Sequence, residues 1–158
     1  MSEYGIDGLR LPDRHEIEQL MYRYAKAADQ ADVEHQLTVF QDDCRLRVSG
    51  SEWVEGTDAI RTMLQGALSR YVRTSHAVTN ISIDFAGTDL AYAESLVTAW
   101  HRGVDGKEWT LHGRYIDTWT RRTRGWKIQT RELIAAGATG RDESRLTMLN
   151  RLTLSDGH

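Results

Sequence analysis

Apolar residues near the beginning of the chain recur at helical spacing. Pro12 and Asp13 are typical of a helix start, and the positions behind them predict an amphipathic helix over about residues 13–30. Its predicted inner face consists of Ile17, Leu20, Met21, Tyr24, Ala25 and Ala28. A second, short helix is predicted over residues 33–40, and a third begins at residues 56–58 and ends near residue 68.

Alternating patterns in the remainder of the chain indicate strands. Residues 44–49 alternate between apolar and polar side chains, and a short strand at Trp53 and Val54 follows the turn at residues 49–51. Four longer strands are predicted over residues 77–85, 90–102, 108–121 and 126–134. Helices followed by an antiparallel meander favour an α+β fold over a doubly wound one. A curved antiparallel or mixed sheet wrapped around the N-terminal helices would form a cone, whose open end is a natural place for a ligand.

The length of the chain predicts one domain over residues 1–158. A chain of 158 residues can bury a core without disulfides or metals, and no linker of Pro, Gly and Ser divides it. The predicted core of the domain covers residues 13–136. Residues 140–152 are predicted to be helical, because Leu146, Leu149 and Leu152 are spaced along one side.

Charge and composition narrow the classes of function. A net charge of −3 argues against nucleic acid as a partner, and no apolar run is long enough to cross a membrane. The first ten residues lack both the basic and the apolar region of a signal peptide. Cys44 is the only cysteine, so no internal disulfide can form. These features predict a cytoplasmic protein.

The common cofactor and metal motifs are absent from the sequence. It contains no Gly-rich phosphate loop, no G-x-S-x-G elbow, no His-Glu-x-x-His and no Cys-x-x-Cys. The six histidines do not form a ligand-spaced cluster. No cofactor and no metal site are therefore predicted, and the expected ligand is a small-molecule substrate.

Two residues stand out as a candidate acid–base pair. Asp29 lies in the last turn of the first predicted helix, where the helix dipole disfavours negative charge. It is either a solvated turn residue or a functional carboxylate, and Asp32 competes for the second role. His76 lies at the start of a predicted strand, where it is either a structural histidine or a base that titrates near neutral pH.

Three further residues have both a structural and a functional interpretation. Tyr24 projects from the apolar face of its helix, as a core tyrosine or as a hydrogen-bond donor. Arg131 interrupts the last strand, either as a surface residue that pairs with Glu132 or a cross-strand acid, or as a cation in a site. His112 is a candidate of the same kind.

Taken together, these positions resemble the SnoaL-like family of the nuclear transport factor 2-like (cystatin-like) superfamily. The similarity covers roughly residues 13–136. It rests on the blocks IEQLMYRYA at 17–25, EGTDAI at 55–60, SHAVTN at 75–80, GRYID at 113–117 and GWKI at 125–128, with Asp29 and Arg131. The sequence is most similar to the group of scytalone dehydratase, bile acid 7α-dehydratase and hexachlorocyclohexane dehydrochlorinase.

The resemblance implies a catalytic set. In this group an Asp–His pair abstracts a proton, and the pair falls on Asp29 and His76. The polar residue before the aspartate falls on Tyr24, and the arginine of the dehydrochlorinase falls on Arg131. His112 lies near the position of the dyad histidine of scytalone dehydratase, so the resemblance leaves open whether His76 or His112 is the base.

Substrate contacts follow from the same resemblance. The positions nearest to the second acid of the bile acid enzyme hold Ala99, Trp100 and His101, so that acid has no counterpart in this sequence. We expect Trp53, Trp100, His101 and His112 to contact the substrate, and aromatic walls favour a flat or cyclic apolar compound.

These residues can support a lyase reaction without a cofactor. Neutral His76 would take a proton, Asp29 would hold its tautomer, Tyr24 would donate to a carbonyl or leaving hydroxyl, and Arg131 would neutralise developing charge. The preferred hypothesis is a dehydratase acting on a cyclic hydroxy-carbonyl compound. An isomerase or aldol-type cyclase with the same base is the first alternative, and a non-catalytic binding or assembly module is the second.

The long strands also predict a homodimer or homotrimer. On the strand over residues 108–121, Trp109, Leu111, Gly113, Tyr115, Asp117 and Trp119 share one face, and His112, Arg114 and Ile116 share the other. Both faces carry apolar groups, so the outer one needs a cover. A second copy of the chain is the expected cover, and a C-terminal helix folded back over this face is the alternative.

Overall fold

The computed structural model describes residues 10–151 of the chain. Within these residues, three helices precede or interrupt six strands. The helices are α1 (Leu11–Asp29), α2 (Val33–Leu37) and α3 (Thr57–Leu68). The strands are β1 (Phe40–Arg47), β2 (Val54–Glu55), β3 (Tyr71–Phe85), β4 (Leu90–Gly103), β5 (Glu108–Arg122) and β6 (Gly125–Thr139).

The strands form one mixed sheet in the order β2-β1-β6-β5-β4-β3. Strands β3 to β6 make the predicted antiparallel meander, and β1 joins it by pairing parallel to β6. The predicted α+β class is therefore confirmed. Several boundaries differ from the prediction, because pairing extends three strands: Phe40 already pairs with Ile128, Tyr71 already pairs with Gly103, and Thr139 still pairs with Thr110. The second helix correspondingly ends at Leu37 and not at residue 40.

Side chains of complementary size line the inner face of the sheet. Small residues of β4 stand opposite large residues of β5, as in the pairs Ala91–Trp119 and Ser95–Tyr115. The apolar face of α1 packs onto this surface, and Ile17 at its centre is completely buried. The small residues of β4 leave room for the helix, so the sheet can curve around it.

A bulge in β6 determines which of its residues face inward. Trp119 pairs with Ile128 but Thr118 pairs with Thr130, so Gln129 is an extra residue in β6. The extra residue reverses the alternation of side chains between the two faces of the strand. The inward residues are therefore Trp126 and Ile128 before the bulge, and Arg131, Leu133 and Ala135 after it.

The predicted C-terminal helix is wrong over the described residues 141–151, which form turns and extended chain. β1 pairs with β6 only as far as Glu132, so the edge of β6 is open at Ala135. The N–H of Ala135 donates to the carbonyl of Thr147 at 2.9 Å, and the N–H of Leu149 donates to the carbonyl of Ala135 at 2.7 Å. Backbone pairing with this open edge outweighs the helical spacing of the leucines. Leu152 lies outside the described residues.

Candidate active site

A cavity of about 400 Å³ lies between the helices and the inner face of the sheet. Its apolar walls come from α3, from the sheet and from the C-terminal segment. They include Met63, Leu64, Leu68, Leu111, Leu133 and Leu146. Polar groups are concentrated at a few positions of this cavity, as is usual for a small-molecule site.

Asp29 and His76 form a hydrogen-bonded pair at the wall of the cavity. Oδ1 of Asp29 lies 2.7 Å from Nδ1 of His76, and Oδ2 accepts the backbone N–H of His76 at 3.0 Å. The hydroxyl of Thr74 also donates to Oδ1, at 2.9 Å. These three donors offset the unfavourable dipole at the C-terminal end of α1. The sequence predicted this pair, and the structure brings its two members together.

Asp32, the other candidate for the functional carboxylate, has a structural role. Asp32 precedes α2 and accepts the backbone N–H of His35 at 2.9 Å, which is the geometry of a helix N-cap. Asp32 does not line the cavity.

The carboxylate determines the tautomer of His76. A carboxylate only accepts hydrogen bonds, so the neutral ring carries its hydrogen on Nδ1 and keeps the lone pair on Nε2. The side chain of His76 is 11% exposed and lines the cavity, and that of Asp29 is 29% exposed. The pair can therefore accept a proton at Nε2 and stabilise the resulting imidazolium.

A second histidine lies beside this pair. His101 is 8% exposed, and its ring centroid is 5.7 Å from that of His76. It stacks on Trp109 at 4.1 Å with an interplanar angle of 7°, and Tyr71 contacts it at 4.6 Å. Burial, with a smaller contribution from His76, lowers the pKa of His101 to about 4. Nδ1 of His101 has no hydrogen-bond partner among residues 10–151.

Two tyrosines complete the inner end of the cavity. Tyr24 and Tyr115 both line it, and their rings meet edge to face at 6.0 Å. Burial raises the pKa of both hydroxyls, so both remain protonated donors at neutral pH. Tyr24 thus faces the ligand space, as the sequence predicted.

Arg131 lies behind these tyrosines and does not line the cavity. Its guanidinium is 4.6 Å from the ring centroid of Tyr24 and 4.1 Å from that of Tyr115. Nε and Nη2 donate to the carboxylate of Asp117 at 2.8 and 2.7 Å. Burial opposes its charge, but the carboxylate of Asp117 outweighs burial and raises the pKa of Arg131. The structure therefore corrects the prediction that Arg131 contacts a substrate directly, because the rings of Tyr24 and Tyr115 lie between its guanidinium and the cavity.

Three of the four expected substrate contacts do not line the cavity. Trp100 and His112 alternate along their strands with the inward residues His101 and Leu111, so both lie on the outer face. The indole of Trp100 donates to Glu108 there. His112 is therefore not at the cavity, and His101 is the only one of these four residues that lines it.

Trp53 lies outside the cavity for a different reason. The guanidinium groups of Arg45 and Arg47 cover its ring at 4.8 and 4.7 Å. The cavity instead uses Tyr71 and Trp109, which the sequence reasoning did not assign to it. The inward alternation of β5 could have indicated Trp109, whereas Tyr71 lay outside the predicted strand.

Residues 10–151 contain neither a cluster of metal-binding side chains nor a membrane-spanning helix. No group of three or more His, Cys, Asp or Glu side chains is arranged to hold a metal ion within that part of the chain. None of the described helices is long and apolar enough to cross a membrane.

A curved sheet that encloses a cavity against helices, with an Asp–His pair at the wall, defines a class of small α+β pocket proteins. The chain belongs to the SnoaL-like domain family, whose pattern matches residues 9–132. The resemblance seen in the sequence is therefore confirmed. A comparison with curated proteins gave no significant match.

Solved structures of the same fold carry different names. A protein of Novosphingobium aromaticivorans provisionally named scytalone dehydratase is 28% identical, with a TM-score of 0.84, and the match covers 91% of this chain and 97% of that one. A second protein of the same species, provisionally named aromatic ring hydroxylase, is 27% identical, with a TM-score of 0.79 and coverage of 85% and 96%. A type 2 hexachlorocyclohexane dehydrochlorinase (LinA) is 20% identical, with a TM-score of 0.79 and coverage of 86% and 93%, and this likeness shows the fold alone.

Proposed function

We propose that this protein is a lyase that eliminates water from a small, cyclic and largely apolar hydroxy-carbonyl compound, with His76 as the base. The observation that carries the proposal is the 2.7 Å contact between Asp29 and His76 at the wall of an apolar cavity. The dehydratase name of one relative agrees with this reaction, and the hydroxylase name of another does not. Because one fold can host different activities, the proposal rests on the geometry of the site, which supports an elimination.

The proposed reaction begins with proton abstraction. Nε2 of His76 takes a proton from the carbon next to the substrate carbonyl, and the C–H electron pair forms an enolate. The carboxylate of Asp29 stabilises the imidazolium that results. The enolate then re-forms the carbonyl and a carbon–carbon double bond. The neighbouring C–O bond breaks, and the hydroxyl leaves with its electron pair and takes the proton of the His76 imidazolium to give water, which restores the neutral base.

Neutral donors assist the oxygen atoms of the substrate. Tyr24 is positioned to donate a hydrogen bond to the carbonyl or to the leaving hydroxyl. His101, whose pKa is lowered to about 4, remains neutral at pH 7 and can donate to the second oxygen. We propose that Arg131 acts through Tyr24 and Tyr115, because its charge makes their hydroxyls stronger donors without contact to the substrate. No step of this reaction requires a cofactor.

The volume of the cavity limits the size of the substrate. A volume of about 400 Å³ suits a molecule of a few fused or single rings. Tyr71, His101 and Trp109 pack on one another and form an aromatic wall of this cavity, which favours an apolar substrate.

The test is turnover of a panel of cyclic β-hydroxy ketones, followed by mass spectrometry of the products. We expect loss of water, and we expect His76→Ala and Asp29→Asn each to lower kcat by at least about a hundredfold. His112→Ala and Asp32→Asn are matched controls that change the same residue types outside the cavity. Products of unchanged mass would favour the isomerase or cyclase. Near wild-type rates in both dyad variants would remove the dyad from the mechanism.

A further inference from the structure

Among the described residues, the lining of the cavity contains two arginines. Arg70, which follows α3, and Arg141, which follows β6, both line it. No Asp or Glu belongs to the cavity lining formed by the described residues. The carboxylate of Asp29 is not part of this lining and is hydrogen-bonded to His76, so it does not pair with either arginine. The cavity therefore has an electrostatic preference for a negatively charged ligand.

Neither arginine has a carboxylate partner among the described residues. Within residues 10–151, no carboxylate lies within ion-pair distance of Arg70 or Arg141, whereas the buried Arg131 is paired with Asp117. The acidic residues that follow Arg141 have other partners: Asp142 accepts from Ser144, and Glu143 accepts from the N–H of Ala138. Two guanidinium groups without carboxylate partners thus lie at the cavity.

Arg141 is also held in place by its surroundings. Its guanidinium lies over the ring of Trp109 at 4.5 Å, and Trp109 in turn stacks on His101. A continuous stack therefore leads from the histidines to Arg141. A guanidinium fixed on an aromatic ring loses little conformational freedom when it binds a carboxylate.

We infer that the substrate carries a carboxylate, which Arg70 and Arg141 bind while its apolar ring occupies the cavity and reaches His76. A guanidinium matches a carboxylate through two parallel hydrogen bonds. The position of the reacting carbon next to His76 rests on the proposed function. The negative charge of the substrate rests on the two arginines. It narrows the substrate class to cyclic hydroxy-carbonyl acids.

Calorimetric titration of the full chain with two isosteric probes tests the inference. We expect 2-naphthoate to bind about tenfold more tightly than 2-naphthamide, because only the acid is charged. Arg70→Gln and Arg141→Gln should each reduce this ratio several-fold, and the double variant should bring it to about one. Arg145→Gln is the matched control, because this exposed arginine lies in the same C-terminal segment but does not line the cavity.

The binding ratio is independent of turnover. His76→Ala should keep the preference for naphthoate, so failure of the lyase proposal and failure of this inference give different results. A naphthoate-to-naphthamide ratio near one in the wild type overturns the inference, and so does the absence of binding by either probe. An Arg145→Gln variant that loses as much preference as the two cavity variants overturns it as well.

Discussion

Arg131 donates to both carboxylate oxygens of Asp117, at 2.8 and 2.7 Å, and the two residues are 0% and 2% exposed. The pair connects β6 to β5 directly behind Tyr24 and Tyr115. Two charges in the core are stable only as long as both are present, because each is otherwise buried without a partner.

Removal of one member of this ion pair should therefore lower the free energy of unfolding more than removal of both members. We expect Asp117→Ala to lower the free energy of unfolding by about 3–5 kcal/mol, since it leaves the guanidinium of Arg131 unpaired in the core. The double variant Asp117→Leu/Arg131→Met, which buries no charge, should lose much less. Urea unfolding of the three proteins measures the difference. Equal losses in the single and double variants would show that the ion pair is not coupled in this way.

The sequence predicted the elements of this fold better than the identity of the site residues. The spacing of the apolar residues from Ile17 to Ala28 predicted α1. The position of Asp29 at the end of that helix, together with the family resemblance, predicted its pairing with His76. The bulge at Gln129 has no signature in the sequence, and it is the bulge that turns Arg131 inward. Because strand alternation has a period of two, a register error of one residue would exchange His101 with Trp100 and Leu111 with His112. Residue types alone cannot resolve such a shift.

The C-terminal segment illustrates a second limit. The leucine spacing of residues 140–152 indicates a helix, but the segment pairs with an open strand edge that no sequence pattern reveals. Tertiary hydrogen bonds thus override local propensity.

The lowered pKa of His101 predicts a pH-dependent stability. Its pKa falls from 6.5 in the unfolded chain to about 4 in the folded protein. Between these values the unfolded state binds more protons, so stability is present above pH 6.5 and is lost as the pH falls toward 4. We expect wild type to lose about 2–3 kcal/mol more than His101→Phe from about pH 7 to about pH 4. Urea midpoints across this range measure the difference. Parallel curves for the two proteins would mean that His101 titrates normally, and His112→Phe is the control.

The outer face of the sheet predicts self-association. Leu96, Ile116 and Ile134 are only partly exposed there, among charged neighbours such as the Glu94–Arg114 pair. Up to Arg151 the C-terminal segment lies against the β6 edge at Ala135, so it does not cover this face. We expect a dimer or trimer of the 18.0 kDa chain in light scattering. Ile116→Lys should yield the monomer, and a wild-type monomer at micromolar concentration would contradict the expectation.

Substitutions at two glycines of similar backbone conformation can test what holds the C-terminal segment, residues 141–151, in position. Gly50 and Gly87 have φ angles of +82° and +87°, so alanine is strained at both. At Gly50 an added Cβ would also overlap the backbone carbonyl of Arg145, whereas at Gly87 it meets nothing within 4 Å. Both variants should lose about 1 kcal/mol to backbone strain. Only Gly50→Ala should also displace the segment that carries Leu146 and Arg141 to the cavity.

Limited trypsin digestion gives the readout, because cleavage after Arg145 requires the segment to leave its place. We expect Gly50→Ala to be cut several-fold faster there than Gly87→Ala, although both are destabilised by a similar backbone penalty. Naphthoate binding should weaken in the same variant, since Arg141 moves away with the segment. If the two variants were cut at the same rate, the close approach of Gly50 to Arg145 would not hold the segment. Its position would then depend on its hydrogen bonds, which include those to Ala135, Ser49 and Ala138.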